Sequence, residues 1–539
     1  MPAVPLTDLA ALVGAAVRDG AEGVSVTGVS LDSRTVQAGD LYAALPGFHQ
    51  HGAAFAGSAV DAGARAVLTD PRGAELAAVP VPVLVTPDPR AVLGNVAACV
   101  YGAPASALTL VGITGTNGKT TTAYLLEAGL RALSVPTGLI GTVETRVGDR
   151  RIKSVRTTPE ATDLHGLLAV MREAKASTVV MEVSSHALAL HRVDGAVYDL
   201  ALFTNLSQDH LDFHGTMEDY FAAKASLFTP EHSMRGVVCV DDEWGVRLAA
   251  GSEVPVVTVG SHLGAQANWV VRQRTWPRFS LTGPVGTLEL QCHLPGQFNV
   301  VNTAMAAVCL VELGHPLDRV ADAMTHEPVV PGRMEVVTAT VPDLERDPRC
   351  IVDYAHTPDA VEAVLKALRP TTPGRLVVVL GAGGDRDRGK RRAMGAAAAS
   401  WADSLIVTDD NPRTEEPASI RAEVRSGATE GVARSNHPRS QARASPQAGD
   451  GPAARPIHAP GNTSRRPFTV TDSGDRWVAI SSAVTLARRE GKPYDNTVVV
   501  LGKGHETGQE IAGVVHAFDD REALRAALDG LVYRPEAPA

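Results

Sequence analysis

Short apolar runs rich in β-branched residues alternate along the chain with longer stretches in which apolar residues recur at helical spacing. Such alternation predicts parallel β-strands joined by helices, because a strand covered by helices on both faces is continuously apolar. Ligands of such sheets bind at the carboxyl ends of the strands, where polar residues follow these runs. We therefore predict an α/β fold. The runs are Leu108–Gly112, Thr178–Val183, Tyr198–Thr204, Ile351–Tyr354, Leu376–Gly381, Leu405–Asp409 and Thr497–Gly502.

Two boundaries divide the predicted elements into three domains. Tyr101–Ser106 has the composition of a linker, and Pro328–Gly332 precedes a new series of strands that begins near Glu335. The chain of 539 residues is too long for one hydrophobic core, since cores stop growing at about 250–300 residues. We predict domains at residues 1–104, 105–332 and 333–539.

A segment at about residues 426–467 interrupts the third predicted domain. It is rich in Pro, Ala, Ser and Arg and shows no apolar periodicity. Such a segment buries too little apolar surface to offset the conformational entropy that it would lose on folding. We predict a disordered insertion there.

Charge and cysteine content exclude several classes of protein. The formal net charge of -10 offers no general attraction for polyanions, so we expect no nucleic-acid partner. The five cysteines contain no C-x-x-C pair, which indicates neither a disulfide framework nor a zinc site and favours a reducing compartment. The N-terminus lacks the pattern of a signal peptide, and no apolar run reaches the roughly 18 residues of a membrane span. We expect a cytoplasmic protein without membrane insertion.

The strongest local motif is the glycine-rich segment Leu110–Thr122, between an apolar run and a helical stretch. Glycines let backbone N–H groups face phosphate oxygens, and the helix N-terminus adds positive potential. Lys119 would reach the terminal phosphates and the Thr120 hydroxyl would bind Mg²⁺. The segment resembles a P-loop, although Ile113 stands where the first glycine belongs. A plain turn would explain the glycines but not the Lys-Thr pair, so we predict nucleotide binding.

Two further residues at strand ends are candidate ligands of a hard cation. Glu182 follows the run Thr178–Met181, and His210 lies in the polar segment Phe203–Gly215. Both residue types can complete metal sites near phosphates. Taken singly, each is more often a surface or hydrogen-bonded residue.

A series of ordered motifs resembles the Mur ligase family, and most closely its members that add meso-diaminopimelate. The resemblance covers nearly the whole chain outside the predicted insertion. The motifs are GTNGKTT (Gly115–Thr121), MEVSSH (Met181–His186), FTNLSQDHLDFHG (Phe203–Gly215), MEDYFAAK (Met217–Lys224), GQFNVVNTAMA (Gly296–Ala306), PGRME (Pro331–Glu335), DYAHTPDA (Asp353–Ala360), GAGGDRDRGKR (Gly381–Arg391), DDNPRTEEP (Asp409–Pro417) and GKGHE (Gly502–Glu506).

The resemblance implies a UDP-sugar-binding first domain, a central P-loop ATPase domain and a Rossmann-like third domain that binds the amino acid. It also implies a reaction of peptidoglycan precursor synthesis. ATP would phosphorylate the D-glutamate γ-carboxylate of UDP-N-acetylmuramoyl-L-alanyl-D-glutamate. The amine of meso-diaminopimelate would then attack the acyl carbon and displace phosphate, which is a better leaving group than the oxide ion of a free carboxylate. A monomer is expected.

The resemblance assigns residues to ATP, to catalysis and to two Mg²⁺ ions. The ATP contacts are Gly115, Thr116, Asn117, Gly118, Lys119, Thr120, Thr121, Asn299, Asn302, Arg333 and Asp353. The catalytic residues are Lys119, Glu182, His210, Lys224 and Arg333. The metal ligands are Thr120, Glu182, His210 and, once CO₂ has converted its amine to a carbamate, Lys224.

It also assigns the two substrate sites. The contacts to the UDP-muramoyl dipeptide are Leu31, Ser33, Phe48, His49, Gln50, Thr157, Thr158, Ser184 and Arg192. The contacts to diaminopimelate are Arg386, Asp410, Asn411, Pro412, Arg413, Gly502 and Glu506. The chain departs from some family members at two positions, with Arg156 in place of Asn and Leu190 in place of Gln.

Plainer interpretations of single residues and other functions stay open. Ser33 or Thr157 could be turn hydroxyls, and Lys224 a solvated amine. The chain could instead add L-lysine, act as a folylpolyglutamate-synthase-like ligase, or be a non-catalytic ATP-binding regulator. The LDSR, DNPR and GKGHE segments disfavour the second alternative, and the presence of the four residues Lys119, Glu182, His210 and Lys224 disfavours the third.

Overall fold

The computed structural model describes residues 3–47, 49–262, 264–275, 277–326, 328–343, 345–435, 468–489 and 491–534. Two compact units divide this part of the chain. The first comprises Met1–Ser207, His214–His293 and Asn299–Pro328, and the second comprises Gln208–Phe213, Leu294–Phe298 and Val329–Ala539. No helix in the described ranges is both long and apolar enough to span a membrane.

The first unit begins with a small sheet whose strands are connected by helices. Strands β4, β5, β6 and β7 are parallel and β2 joins them antiparallel, while β1 pairs with β3. Helix α4 begins where Asp88 caps it and Pro89 starts it, a favourable combination at a helix N-terminus. The strands β1 to β7 are Val4–Pro5, Ala16–Arg18, Ser25–Val26, Gly28–Ser30, Asp40–Ala43, Ala66–Thr69 and Val83–Val85. The helices α1 to α4 are Leu6–Val13, Ala56–Asp61, Pro71–Leu76 and Pro89–Val100.

A large mixed sheet forms the rest of the first unit. Its described strands lie in the order β11-β10-β9-β12-β8-β13-β14-β15-β16-β17-β18, parallel from β9 to β16 and antiparallel at both edges. The strands β8 to β18 are Thr109–Thr114, Thr137–Ile140, Glu144–Val147, Arg150–Lys153, Thr178–Glu182, Leu200–Phe203, Gly236–Cys239, Val256–Gly260, Trp269–Thr275, Arg278–Gly283 and Gly286–Gln291. The helices α5 to α12 are Lys119–Ala132, Ala161–Glu173, Ser185–Ala189, Leu211–His214, Met217–Ala225, Glu243–Gly251, Gln297–Glu312 and Leu317–Ala323.

The second unit contains a Rossmann-like sheet. The order of its described strands is β19-β20-β24-β21-β22-β23, with only β19 antiparallel. Alternate residues of β21 enter two different apolar clusters, because successive side chains of a strand point to opposite faces. The strands β19 to β26 are Glu335–Val337, Arg349–Asp353, Leu376–Leu380, Ser404–Thr408, Thr469–Gly474, Thr497–Leu501, Gly508–Ile511 and Val514–Ala517. The helices α13 to α17 are Pro358–Leu368, Gly389–Trp401, Pro417–Ser435, Arg476–Arg489 and Asp520–Asp529.

These sheets confirm the predicted α/β class, with a central parallel sheet that carries the P-loop-type segment and a Rossmann-like sheet after it. The residue boundaries proposed for the three domains stay a prediction.

The predicted disordered insertion is wrong in its first ten residues, since helix α15 continues to Ser435. Its residues Ile420, Val424 and Ala428 are buried in the apolar core of the second unit, and its backbone packs closely on α14. A Cβ atom at Gly427 would lie 1.9 Å from the carbonyl oxygen of Arg392, and one at Gly395 would lie 1.9 Å from that of Val424. Glycine at the crossing therefore permits a contact that any larger side chain would prevent. Residues 436–467 lie outside the described residues.

Replacing Asn436–Pro467 with a short Gly/Ser linker is expected to leave activity within about twofold and to change the free energy of unfolding by less than about 1 kcal/mol. The composition of this segment is poor in apolar residues, and the free energy of loop closure depends only weakly on loop length. Urea unfolding and steady-state activity of the variant test this expectation. Unfolding or inactivity of the variant, with α15 kept intact, would show that the segment is structural.

His165 should make the first unit less stable in mild acid. Its ring is fully buried in α6, Nε2 lies 3.0 Å from the carbonyl oxygen of Asp194, and Nδ1 has no hydrogen-bond partner in the described structure. Burial lowers the pKa of His165 below its ordinary value of 6.5, although the hydrogen bond to Asp194 opposes the shift. The unfolded chain therefore binds more protons than the folded chain just below pH 6.5.

Stability should accordingly fall as pH decreases below 6.5, by at most about 1.4 kcal/mol per pH unit from this residue. Urea unfolding at several pH values, compared between the wild type and His165→Gln, measures the contribution. The variant should show a smaller slope in this range. An identical slope in both proteins would contradict the assignment.

Candidate active site

The predicted phosphate-binding loop joins β8, at the centre of the large sheet, to the N-terminus of α5. Gly115 and Gly118 have φ angles of 141° and 89°, which side chains other than glycine rarely adopt. A Cβ atom at Gly115 would lie 2.0 Å from Thr204 Oγ1, and one at Gly118 would lie 2.5 Å from Asn302 Oδ1. Both glycines are therefore required by conformation and by space. The loop fits a phosphate ligand, because its backbone lies at a helix N-terminus.

Hydrogen bonds from Asn205 hold this loop. The backbone N–H of Thr116 donates to the Asn205 carbonyl oxygen at 2.9 Å, and that of Asn117 donates to Asn205 Oδ1 at 3.0 Å. Lys119 Nζ donates to the carbonyl oxygens of Gly115 and Thr116 at 2.8 and 2.9 Å. Sequence reasoning did not single out Asn205, although it lies in the quoted segment Phe203–Gly215.

The structure brings Thr120 and Glu182, two of the predicted metal ligands, into direct contact. Thr120 Oγ1 donates to Glu182 Oε2 at 2.9 Å. Thr142 also holds this carboxylate, with its N–H donating to Oε1 at 2.7 Å and its hydroxyl donating to Oε2 at 3.0 Å. Glu182 is buried at the carboxyl end of β12. Sequence reasoning missed Thr142, which lies just beyond β9 and outside every quoted motif.

Hydroxyl and carboxylate oxygens such as those of Thr120 and Glu182 are ligands that Mg²⁺ prefers. The donor atoms of this site therefore fit the implied cation. No group of three or more His, Cys, Asp or Glu that could hold a metal ion occurs among the described residues. His210 belongs to the second unit and Glu182 to the first, and the metal role of His210 stays a prediction.

Lys224 lies on α9 and is not a solvated amine, since only 1% of its surface is exposed. Nζ donates to the carbonyl oxygen of Gly115 at 2.8 Å and lies 4.5 Å from the centre of the Tyr220 ring. The helix therefore places the amine against the predicted phosphate loop. Its conversion to a carbamate stays a prediction.

Two of the predicted ATP contacts lie together on α11. Asn302 Nδ2 donates to Asn299 Oδ1 at 3.1 Å, and Asn302 Oδ1 accepts from Thr122 Oγ1 at 3.3 Å. Both asparagines are buried. The helix that begins at the phosphate loop and the helix that carries these asparagines are thus hydrogen-bonded to each other.

Three of the predicted dipeptide contacts, Thr157, Thr158 and Ser184, lie beside Glu182. Thr158 Oγ1 donates to the Glu182 carbonyl oxygen at 2.8 Å and accepts from the Ser184 N–H at 3.0 Å. The Thr157 hydroxyl lies 3.0 Å from that of Thr142. These residues are therefore brought together beside the Glu182 carboxylate.

The predicted uridine contacts lie after two strands of the small sheet. Leu31 and Ser33 follow β4 and are partly exposed, while His49 and Gln50 are exposed on the segment after β5. Phe48 lies outside the described residues. Uridine binding by these positions stays a prediction.

In the second unit, Arg333 and Asp353 lie near the start of the Rossmann-like sheet. Asp353 accepts hydrogen bonds from the N–H groups of Met334 and Ala355 at 2.7 and 2.8 Å. Burial raises the pKa of Asp353, and Arg333 together with these hydrogen bonds offsets part of the shift. The Arg333 guanidinium stacks 4.3 Å from the centre of the Tyr354 ring.

The predicted diaminopimelate contacts converge at the carboxyl ends of β21, β22 and β24. Arg413 has a φ of 52°, and its Nη1 donates to the carbonyl oxygen of Gly384 at 2.6 Å. Its Nε lies 3.3 Å from Glu510 Oε2. Asn411 Nδ2 donates to Glu506 Oε2 at 2.9 Å. The DNPR and GKGHE loops are therefore in direct contact.

Close packing also brings together the loops that carry the remaining predicted diaminopimelate contacts. A Cβ atom at Gly502 would lie 2.6 Å from Asp410 Oδ2, and one at Gly384 would lie 1.9 Å from the Pro412 carbonyl oxygen. A Cβ atom at Gly383 would lie 3.2 Å from Arg413 Nη1 and 3.8 Å from Arg386 Cγ. All seven predicted residues thus lie on loops that contact one another.

Sequence reasoning missed two fully buried cations beneath these loops. Lys503 Nζ lies 3.2 Å from Glu506 Oε2 and 3.3 Å from Asn411 Oδ1, and also donates to the Gly508 carbonyl oxygen. Arg476 pairs with Asp520 through two hydrogen bonds of 2.7 Å and donates to the carbonyl oxygen of Leu501 at 2.9 Å. Lys503 was visible within GKGHE as a cation directly after an apolar run. Arg476 gave no such signal.

Fold and site together define an α/β enzyme with a P-loop-type segment in its large sheet and a Rossmann-like sheet in its second unit. Residues 25–101 match the catalytic domain of the Mur ligase family, residues 113–310 the Mur ligase middle domain, and residues 332–451 the Mur ligase glutamate ligase domain. The chain belongs to the Mur ligase family and is an ATP-dependent ligase.

Several relatives span nearly the whole chain. UDP-N-acetylmuramoyl-L-alanyl-D-glutamate–2,6-diaminopimelate ligase of Streptomyces coelicolor is 50% identical over 532 residues, covering 98% of this chain and 96% of the relative. The enzyme of the same name from Corynebacterium glutamicum is 43% identical over 542 residues, covering 97% of each chain. A solved structure of a ligase of that name is 28% identical, with a TM-score of 0.63, and covers 98% of this chain and 99% of its own.

Proposed function

We propose that this ligase adds meso-diaminopimelate to UDP-N-acetylmuramoyl-L-alanyl-D-glutamate in peptidoglycan precursor synthesis. The observation that carries the proposal is the ionic cluster of the second unit, in which Arg413 is held by Gly384 and Glu510 beside the contacting DNPR and GKGHE loops. A planar guanidinium binds a carboxylate through two hydrogen bonds. The distal carboxylate is the group that distinguishes diaminopimelate from lysine. The names of the relatives from Streptomyces coelicolor and Corynebacterium glutamicum support the same substrates.

ATP would supply the phosphoryl group that activates the D-glutamate γ-carboxylate as an acyl phosphate, and two Mg²⁺ ions would offset charge on the transferring group. The chain's own residues would position the reactants. The backbone N–H groups of residues 115–118 and Lys119 would hold the phosphates. Thr120 and Glu182 would bind one cation, and His210 with a carbamate on Lys224 the other. The hydroxyls of Thr157, Thr158 and Ser184 beside Glu182 would orient the dipeptide.

We further propose that the enzyme acts as a monomer in the cytoplasm. All five cysteines lie in the described part of the chain and none forms a disulfide, which agrees with a reducing compartment.

The test is phosphate release by the purified protein given ATP, Mg²⁺ and the UDP-muramoyl dipeptide, with diaminopimelate and L-lysine compared as acceptors. We expect release that depends on both the dipeptide and diaminopimelate, and that is abolished in Lys119→Ala. Efficient use of lysine would reverse the assignment of the amino acid and leave the ligase class intact. Release that is independent of the dipeptide would contradict the proposed function.

A further inference from the structure

Three arginines of the first unit share one carboxylate. Arg192 Nη2 lies 3.0 Å from Glu160 Oε1, Arg90 Nη1 lies 3.3 Å from Glu160 Oε2, and Arg156 Nη1 lies 3.5 Å from Glu160 Oε1. Glu160 precedes α6 but its side chain makes no capping hydrogen bond to that helix. The carboxylate instead forms ion pairs with the three guanidinium groups, so these four residues form one ionic cluster.

The cluster carries more positive than negative charge. Asp163 in the first turn of α6 is the second acid close to it, and burial raises the pKa of Asp163 while Arg156 lowers it. The three guanidinium groups therefore outnumber the two carboxylates of Glu160 and Asp163. Burial and the charges of Arg156 and Arg90 lower the pKa of Arg192, against the opposing effect of Glu160. The like charges are thus incompletely compensated.

One polar atom of the cluster lacks a partner. Arg192 Nε is buried and has no hydrogen bond within the part of the chain that the structure describes. A buried donor of this kind costs about 1–3 kcal/mol when it is left unsatisfied. A purely structural ion network gains little from excess charge and from an unused donor. An oxyanion bound here would offset the excess positive charge.

The cluster adjoins the residues proposed to bind the dipeptide. Arg156 directly precedes Thr157, whose hydroxyl lies 3.0 Å from the hydroxyl of Thr142. Arg90 lies in the first turn of α4 and donates to the carbonyl oxygen of Leu190 at 3.4 Å. Arg156 and Leu190 are also the two positions at which this chain departs from some family members.

We infer that Arg90 and Arg156 join Arg192 in an oxyanion subsite for the UDP-muramoyl dipeptide. This inference rests on the proposed function. The ligand group is either a carboxylate of the dipeptide or an oxygen of the diphosphate, since guanidinium groups bind both in the same two-bonded geometry. Arg156 and Arg90 supply charge at a place where an amide side chain would offer only neutral hydrogen bonds.

The test compares Arg156→Gln and Arg90→Gln with the wild type and with Arg150→Gln, a matched control at an exposed arginine of the edge strand β11. Each cluster variant should raise the KM for the UDP-muramoyl dipeptide by about 10-fold or more, as expected for loss of a charge-assisted hydrogen bond. The KM values for ATP and diaminopimelate and the kcat should stay within about twofold. Arg156→Lys should recover part of the loss, because it restores the charge without the planar geometry.

Calorimetric binding without ATP separates this inference from the proposed function. If the wild type does not bind the UDP-muramoyl dipeptide, the proposed function fails. If the wild type binds it and both variants bind equally well, the subsite is wrong. A lower melting temperature together with raised KM values for all three substrates would also overturn the subsite in favour of a structural role.

A second ligand identifies the group that is bound. Weaker binding of the variants to UDP-N-acetylmuramic acid, which lacks the peptide, would support the subsite and assign it to the diphosphate. Weakening confined to the dipeptide ligand would support it and assign it to a peptide carboxylate.

Discussion

Replacing Lys224 with alanine is expected to lower kcat by about 10³-fold, the scale of losing one electrostatic contact to a transferring phosphoryl group. The side chain is almost completely buried, and its amine lies 2.8 Å from the carbonyl oxygen of Gly115 in the predicted phosphate loop. A carbamate at this position would supply oxygen ligands to Mg²⁺, whereas alanine supplies none. Steady-state phosphate release with all three substrates measures the effect.

Two observations separate this role from a packing defect. Short carboxylates such as acetate should restore part of the activity of Lys224→Ala, and ¹³C-labelled bicarbonate should give a carbamate signal in the wild type that the variant lacks. Lys153→Ala, at an exposed lysine of β11, is the matched control and should be unchanged. A fully active Lys224→Ala protein, or a wild type without the carbamate signal, would refute the proposal. Thermal unfolding of Lys224→Gln shows whether loss of the amine alone disrupts the fold.

Arg413→Ala is expected to lower kcat/KM for diaminopimelate by about 10²- to 10⁴-fold, mainly through a raised KM. Two hydrogen bonds to a charged group contribute about 1.5–3 kcal/mol each. The hydrogen bond to Gly384 and the ion pair with Glu510 hold the guanidinium in place before substrate binds. Initial rates over a range of diaminopimelate concentrations separate the change in KM from that in kcat.

The same residue should set the choice of amino acid. The kcat/KM of the unmodified enzyme should be about 10⁴-fold higher for diaminopimelate than for lysine. An analogue without the distal carboxylate leaves the charged group of the site unpaired. In Arg413→Ala this preference should largely disappear. Arg425→Ala, at a half-exposed arginine of α15, provides the control. If Arg413→Ala kept the preference for diaminopimelate, another residue would determine the selectivity.

The local sequence pattern was sufficient to predict seven strands of the two larger sheets and the phosphate loop. The run Leu376–Gly381 predicts a strand that the structure has at Leu376–Leu380, and the segment after Leu110 predicts the loop between β8 and α5. A continuous apolar run has few alternatives to a strand buried on both faces. Glycines before a Lys-Thr pair similarly restrict the backbone to a turn that opens a helix.

The last ten residues of helix α15 were not predicted from their own pattern. The segment after Ser426 has no apolar stripe, and we predicted disorder from that composition. Its helix is stabilised by close backbone packing between Gly427 and Arg392 on α14. Most of the stability of a helix in a protein comes from tertiary packing, and the sequence of one segment does not show which element it packs against.

By itself, the sequence determined the fold class, the loop glycines, and the identity of the ionic groups near each strand end, because these depend on local conformation and residue chemistry. Only the tertiary structure decided which distant groups hold them. Thr142 binds the Glu182 carboxylate across 40 positions, Lys503 joins Asn411 to Glu506, and Arg90 reaches Glu160 across 70 positions. Such contacts arise when segments far apart in the chain become neighbours in the fold, so the hydrogen-bond partners of a buried polar group follow from topology rather than from spacing.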